Sequence, residues 1–431
     1  MVMKMGDPRR VSAGFRFNGK NMKEELKDYL TSVTYTDVAS GSSDQLDITI
    51  QNIEMDWLNR KYPVKGDRVD GTITFRNWEK EGRDKRLSCG IFVLDNIKYS
   101  GGPLAAQFGC LAIPANGSFQ TRERTKTWKE VTVHGIAKEI AGKYGLQLNC
   151  SGPDVKINSI EQSQKTDSAF LYEICNTYGM SMKVYNNAIV IYDQTSQEKK
   201  SSSAELTRES FVDDNWEYED ALVGIYTGAR ISYKSGNDSE EISVYVGMKA
   251  ENAAGSRVLK IDETADSVSD AYHKAAAKVN RSNESATKLS GEIWPNPKIC
   301  AGATVRVKGM GKANGKYFVE KSTIEVSGSG TKQNVEMHRC QRRLSYAPKA
   351  APIPASQTSR NYKTGDIVNF SGGMHYVSSH PGAKGQSAKA GPAKITLGPD
   401  SAGNGKAHPW HLVHTDNTSN VYGWVDEGSF S

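Results

Sequence analysis

Residues Ser32–Trp57, SVTYTDVASGSSDQLDITIQNIEMDW, decide how the first hundred residues fold. Within them Leu46, Ile48 and Ile50 alternate with Asp47, Thr49 and Gln51. Side chains on a strand point to opposite faces in turn, so this run is a strand with one apolar face against a core and one wet face. Ile73 and Phe75 repeat the pattern around Thr74, and Cys89–Ile97 and Gln107–Ile113 are further strand candidates. Charged or Gly-rich turns separate them, among them Glu81-Gly82-Arg83-Asp84. Several short strands at this spacing predict a barrel or sandwich from about residue 15 to residue 114.

The period changes between Trp128 and Asp193. Val133, Ile136, Ala137, Ile140 and Tyr144 share one helical face, and Gly145 is placed to end that helix. A second helix is expected after Thr166 or Asp167, either of which can accept from the first free N–H groups. It would bury Phe170, Leu171, Ile174, Cys175 and Tyr178 and stop at Gly179. Met182–Tyr185 and Ala188–Tyr192 then flank Asn186-Asn187, a pair suited to a two-residue hairpin because asparagine tolerates positive φ. This is a small α+β insert.

Strands are expected again at Ala221–Tyr233, Glu241–Val246, Thr287–Ile293, Ala303–Val307, Lys316–Ile324 and Val335–Cys340, with one Ala-rich helix near Val268–Asn280. The hairpin tip Ser327-Gly328-Ser329-Gly330 is predicted to be exposed and mobile. Tyr346–Arg360, YAPKAAPIPASQTSR, has the composition of an extended linker. A compact β-unit follows, rich in Gly, His and aromatic residues.

Length and composition bound the rest. At 431 residues the chain is too long for one core. The net charge of +6 is small, and acids are interleaved with bases almost everywhere, which argues against a dedicated nucleic-acid binder. Six dispersed cysteines without a C-x-x-C pair read as free thiols in a reducing compartment. No run approaches a membrane span and MVMKMGDPRR lacks an apolar signal region, so a soluble cytoplasmic product is expected, one that leaves the cell, if it acts outside, by lysis or a machine and not by secretion.

The catalytic templates fail on spacing or context. Gly309–Lys316 (GMGKANGK) imitates a phosphate loop, but the glycine register is wrong and Tyr317 stands where Ser or Thr would hold a metal. Cys175 lies on the apolar stripe of a helix, where burial favours the neutral thiol. His408, His411 and His414 cluster, yet on a strand His411 would point away from the other two, so no metal is assigned. No catalytic residue and no cofactor are predicted. The alternative kept open is a peptidoglycan hydrolase, for which no spare domain remains before the linker.

The segment Ser32–Trp57, followed by Lys65-Gly66-Asp67 and Gly90–Ile97 (GIFVLDNI), resembles the first barrel of the phage late-control D family, the baseplate hub proteins of contractile tails. Trp128–Thr132 (WKEVT) leading into Ile136-Ala137, then Gln162 and Thr166–Leu171 (TDSAFL), resembles that family's helix-strand insertion. Gly302–Val305 (GATV) and Asn314–Val319 (NGKYFV) resemble its second barrel, so the similarity runs from about residue 12 to residue 342. The tail unit, opening with Tyr362–Val368 (YKTGDIV) and closing with Tyr422–Val425 (YGWV), resembles bacterial SH3-like modules.

The resemblance implies a mainly β chain. It has a tail-tube-like barrel at 1–120, an α+β insertion at 121–203, a second such barrel at 204–345, a linker at 346–361 and an SH3-like module at 362–431. It further implies a structural homotrimer that joins a sixfold tail tube protein to a threefold central spike protein, lines the channel and contacts other baseplate proteins, in a phage or a bacteriocin particle. Neither sequence-specific nucleic-acid binding nor membrane insertion is implied. In the terminal module Tyr376, Trp410, His411, Tyr422 and Trp424 are candidate peptidoglycan contacts, since flat rings bury area with little entropy loss, while small barrels also use such rings as core.

Overall fold

The computed structural model describes residues 8–26, 28–59, 61–78, 80–114, 118–234, 241–265, 267–344, 362–399 and 407–430. It divides into two compact units, residues 1–348 and 349–431. The expected linker, 346–361, lies outside the described residues.

In the first unit the chain lays down β1 (Arg10–Phe17), the short β2 (Lys20–Asn21), a single turn α1 (Lys23–Leu26), β3 (Leu30–Val38), β4 (Gln45–Gln51), β5 (Arg68–Arg76), β6 (Lys85–Gly101) and β7 (Leu104–Leu111). The alternation read in β4 is realised: Leu46, Ile48 and Ile50 are buried and their neighbours are not. Antiparallel pairing runs β3-β4-β7-β6-β5-β1. Flat, this sheet would hold β1 and β7, three strands apart, at roughly 14 Å. Instead the rings of Phe17 on β1 and Phe108 on β7 are 6.4 Å apart, and Tyr35 on β3 lies 6.2 Å from Phe92 on β6, also three strands away. The sheet is therefore curled round one core. Gly71 lies close against that core, where a Cβ would come 2.9 Å from Leu46 Cδ2 and 3.2 Å from Cys89 Cβ.

A single turn α2 (Ser118–Thr121) leads into the insert. It comprises β8 (Glu123–Thr132), α3 (Val133–Lys143), β9 (Gln147–Ser151), β10 (Lys156–Thr166), α4 (Asp167–Thr177), β11 (Met180–Tyr185), β12 (Ala188–Asp193) and α5 (Gln194–Lys199). Both predicted helices are present, with N-caps at Thr132 and Thr166 and positive φ at Gly145 and Gly179. Asn186 and Asn187 turn the β11–β12 hairpin with φ of 49° and 61°, the left-handed pair a two-residue turn demands. Strand β9 joins this hairpin in parallel, and β8 pairs with β10.

Next come β13 (Ala204–Leu206), β14 (Phe211–Asp220), β15 (Gly228–Lys234), β16 (Glu241–Gly247), β17 (Val258–Ile261), α6 (Val268–Asn283), β18 (Thr287–Ile293), β19 (Thr304–Val307), β20 (Gly315–Ser327) and β21 (Gly330–Arg339). Six of them form the path β13-β19-β20-β21-β18-β14. Leu206 and Phe211, from its first and last strands, share one core with Leu289, Val305, Tyr317 and Met337, so this half is curled too. The strand expected from Ala221 begins only at Gly228, because Leu222 and Val223 lie 68% and 91% exposed in a turn. Strands β15, β16 and β17 make a separate sheet against α6, with Ala271, Ala275 and Val279 in a core of their own. The phosphate-loop lookalike is the connection between β19 and β20, with one short turn at Gly311–Ala313.

The second unit is a six-stranded antiparallel sheet, β22 (Ile367–Phe370), β23 (Gly373–Tyr376), β24 (Gly385–Ala388), β25 (Gly391–Leu397), β26 (Trp410–His414) and β27 (Tyr422–Val425), ordered β22-β25-β26-β27-β23-β24. Its core holds Phe370, Ile395, Leu412, Val425 and Phe430.

Candidate functional site

The two curled halves are one sheet. Strand β20 pairs through Gly315–Phe318 with β19, then through Lys321–Ser327 with Val38–Ser32 of β3, while its other edge follows β21 throughout. The change of partner falls at Glu320, which the ladder skips as a bulge between Val319 and Lys321. Tyr317 and Val319 thus point into the second core, and Ile324, five residues on, is buried in the first.

The bulge opens onto a buried ionic network. His338 on β21 reaches Glu320 Oε1 from Nδ1 at 2.7 Å and Glu198 Oε1, at the end of the insert, from Nε2 at 3.0 Å. Arg343 donates through Nε to Glu198 Oε2 at 3.1 Å and through Nη1 to Glu284 Oε1 at 3.0 Å. Burial by itself would pull the imidazolium down, but the bonds to Glu198 and Glu320 outweigh it and push His338 up to about 9. Burial would likewise raise the Glu198 carboxyl, yet His338 and Arg343 outweigh it and bring it down to about 2. The insert, the second half and the segment leading out of it are held together at this point.

A second network fixes the insert to the first half. Lys183 Nζ on β11 donates to Asp37 Oδ1 at 2.8 Å and Val38 O at 2.7 Å, and lies 2.9 Å from Asp44 Oδ1. Asp37 Oδ2 accepts from Ala301 N at 2.9 Å, which draws in the second half as well. Burial raises the Asp44 carboxyl, with Lys183 opposing. Around these charges Ser40 exchanges hydrogen bonds with the Met182 backbone and Tyr192 donates to Ala39 O at 2.7 Å. Ala39, Tyr192 and Phe318, one from each body, pack together.

Asp167, read as a possible helix cap, is instead a buried anion. Thr166 Oγ1 caps the helix, while Asp167 accepts from Gln162, Lys143, Tyr144 and Arg124 at 2.8, 2.5, 2.6 and 3.1 Å. Cys175 is a core residue of the same insert, its thiol pushed up to about 12 by burial.

In the C-terminal unit the sheet register groups some of the candidate contacts and separates others. Trp424 on β27 stands opposite His411 on one side and Tyr376 on the other. The rings of His411 and Trp424 meet edge to face at 5.4 Å, and Tyr422, 68% exposed, approaches His411 at 5.9 Å. Tyr376 stacks on His408 at 3.5 Å, and His408 Nδ1 in turn meets Asp426 Oδ1. Trp410 stands apart from this group, packed against Tyr362 and Phe430 at 6.2 and 5.7 Å beside the core. The three clustered histidines have different partners: Asp426 for His408, Thr396 Oγ1 for His411 and Asp416 O for His414.

The first unit, with its curled, fused halves and the insert between them, is similar in fold to solved phage tail proteins. The tail protein of prophage MuSo2 from Shewanella oneidensis superposes with a TM-score of 0.55 at 12% identity, over 76% of this chain and 98% of that one. The tail protein from Neisseria meningitidis MC58 gives 0.57 at 12% identity, over 76% and 96%. In sequence the chain has homologues among phage baseplate hub proteins: it is 25% identical over 218 residues to the probable baseplate hub protein of Escherichia phage P2. That match takes in 49% of this chain and 53% of the relative, so the chain spans about half the length of the curated relative it matches. No family model matches.

Proposed function

We propose that this chain is a structural baseplate hub of a contractile tail or tail-like bacteriocin. Three copies form a ring that adapts a sixfold tail tube to a threefold spike and lines the central channel. The observation that carries the reading is the pairing of β20 with β3, which gives every chain two curled bodies, of seven and six strands, in one continuous sheet. Three chains then present six similar bodies, the arithmetic a threefold-to-sixfold adaptor needs. The homology to probable baseplate hub proteins supports the same role. Tail tube, spike and other baseplate proteins are its partners, and it reaches the virion by assembly in the cytoplasm and release on lysis.

The C-terminal sheet is read as an SH3-like module whose Tyr376, His411, Tyr422 and Trp424 present an aromatic face to peptidoglycan. The exposed Tyr422 ring beside Trp424 and His411 supports this. Native mass measurement of the full chain with its tail tube protein tests the hub reading. A complex holding three hub copies is expected, and a hub that stays monomeric beside the tube protein overturns it.

A further inference from the structure

Strand β14 is an end of the thirteen-stranded sheet, with β18 as its single strand neighbour among the described residues. Its sequence, FVDDNWEYED, carries Asp213, Asp214, Glu217, Glu219 and Asp220, all exposed. Arg208 holds Asp214 through Nε at 2.8 Å and Thr287 Oγ1 donates to Asp220 at 3.1 Å, whereas Glu217 and Glu219 point away from the core. Exposed apolar groups border the strand: Trp216 within it, Leu222 and Val223 just after it, and Trp294 beyond the end of β18. Acids on an edge keep isolated sheets from pairing indiscriminately. The exposed indoles beside it add aromatic area of the kind enriched in contact surfaces.

The complement lies near the other end of the same sheet. On the outward face of β1, β5 and β6, Arg10 stands directly opposite Arg76, and Arg86 is opposite Thr74 next along. Val11, Phe75 and Leu87, the adjacent residues, turn inward against the first core. All three arginines are exposed, and among the described residues none has an ion-pair partner. Like charges placed opposite one another across a ladder destabilise it, so this pairing is one the isolated chain gains nothing from.

We propose that copies of this chain join head to tail, the acidic β14 edge of one seated against the Arg10–Arg76–Arg86 face of the next. The contact is heterologous, and such contacts make rings when the rotation closes. It rests on the hub reading and names the surfaces that build the ring.

Charge reversal tests it on the full chain, with native mass spectrometry and sedimentation, alone and with the tail tube protein. R10E/R76E/R86E and E217K/E219K should each raise the concentration needed for self-assembly by at least about tenfold, because like charges then face each other. A chain carrying all five changes should recover assembly. The positions are exposed, and thermal melts check folding; a neutral R10Q/R76Q/R86Q set replaces any reversal that fails to fold and should also weaken assembly. Rings that persist in both one-sided variants, or that the fivefold variant fails to restore, overturn this contact and leave the hub reading standing. A wild-type chain monomeric with and without tube protein overturns both.

Discussion

His338 and Glu198, 140 positions apart in the chain, meet Nε2 to Oε1 at 3.0 Å beside the bulge where β20 changes partner. Because His338 is pushed up to about 9 from 6.5, its contribution is fully present below pH 6.5 and is lost as pH rises through about 9. Glu198, brought down to about 2 from 4.5, contributes above pH 4.5 and loses that contribution as pH falls through about 2. The network is therefore strongest between these two ordinary values. From pH 6.5 to 9.5 denaturant titration should show stability falling by roughly 2–3 kcal/mol more than in a His338→Gln chain. Parallel profiles for the two chains would remove His338 as the titrating group.

Lys183 sets its ammonium between two carboxylates that are otherwise shut away from water. Lys183→Met strands Asp37 and Asp44 and should destabilise the first unit by about 3–5 kcal/mol. Adding Asp37→Asn and Asp44→Asn should return a large part of it. A lysine substitution costing under 1 kcal/mol by urea unfolding would mean the carboxylates are solvated.

Ile324 lies on a strand belonging mainly to the second half and fills the core of the first. Ile324→Ala should cost about 2–4 kcal/mol. Calorimetry of the first unit should show both halves melting together at a lower temperature, and two separate transitions in the wild type would contradict a common sheet.

In the C-terminal unit Gly423 lets β23 approach β27, since a Cβ there would sit 2.6 Å from Tyr376 O. Gly423→Val should separate Tyr376 from Trp424 and lower the melting temperature of this unit. Tyr422→Ala, at an exposed position, should leave melting unchanged while weakening sedimentation with purified peptidoglycan by about tenfold, the effect of losing one stacking ring. Unaltered sedimentation removes Tyr422 from the wall-binding face.

The parts of the fold that were legible are those where burial imposes a period. Leu46, Ile48 and Ile50 announce β4, and Asn186-Asn187 announces the tight turn, because each conformation excludes most other residues. Strand β14 was missed because only Phe211 is fully buried along it and, of its other apolar residues, Tyr218 alone packs on the second core, too few to show an alternation. Strands β8 and β10 were missed for a related reason: they pair as a two-stranded ribbon whose buried residues are few and widely spaced. The ionic networks were illegible for a different cause. Glu198, Glu284, His338 and Arg343 come from separate elements, and only the folded chain shows that they converge. Asp167 carried a local signal that pointed to the wrong role, since an Asp at a helix start usually caps, and here Thr166 does so.

The bond between the two halves is not a hinge. Seven successive residue pairs tie Lys321–Ser327 to Val38–Ser32, and the strand that makes them runs without interruption into the other half's ladder. Separating the halves therefore means breaking those seven pairs together with the ladder of the strand they share, not bending one joint.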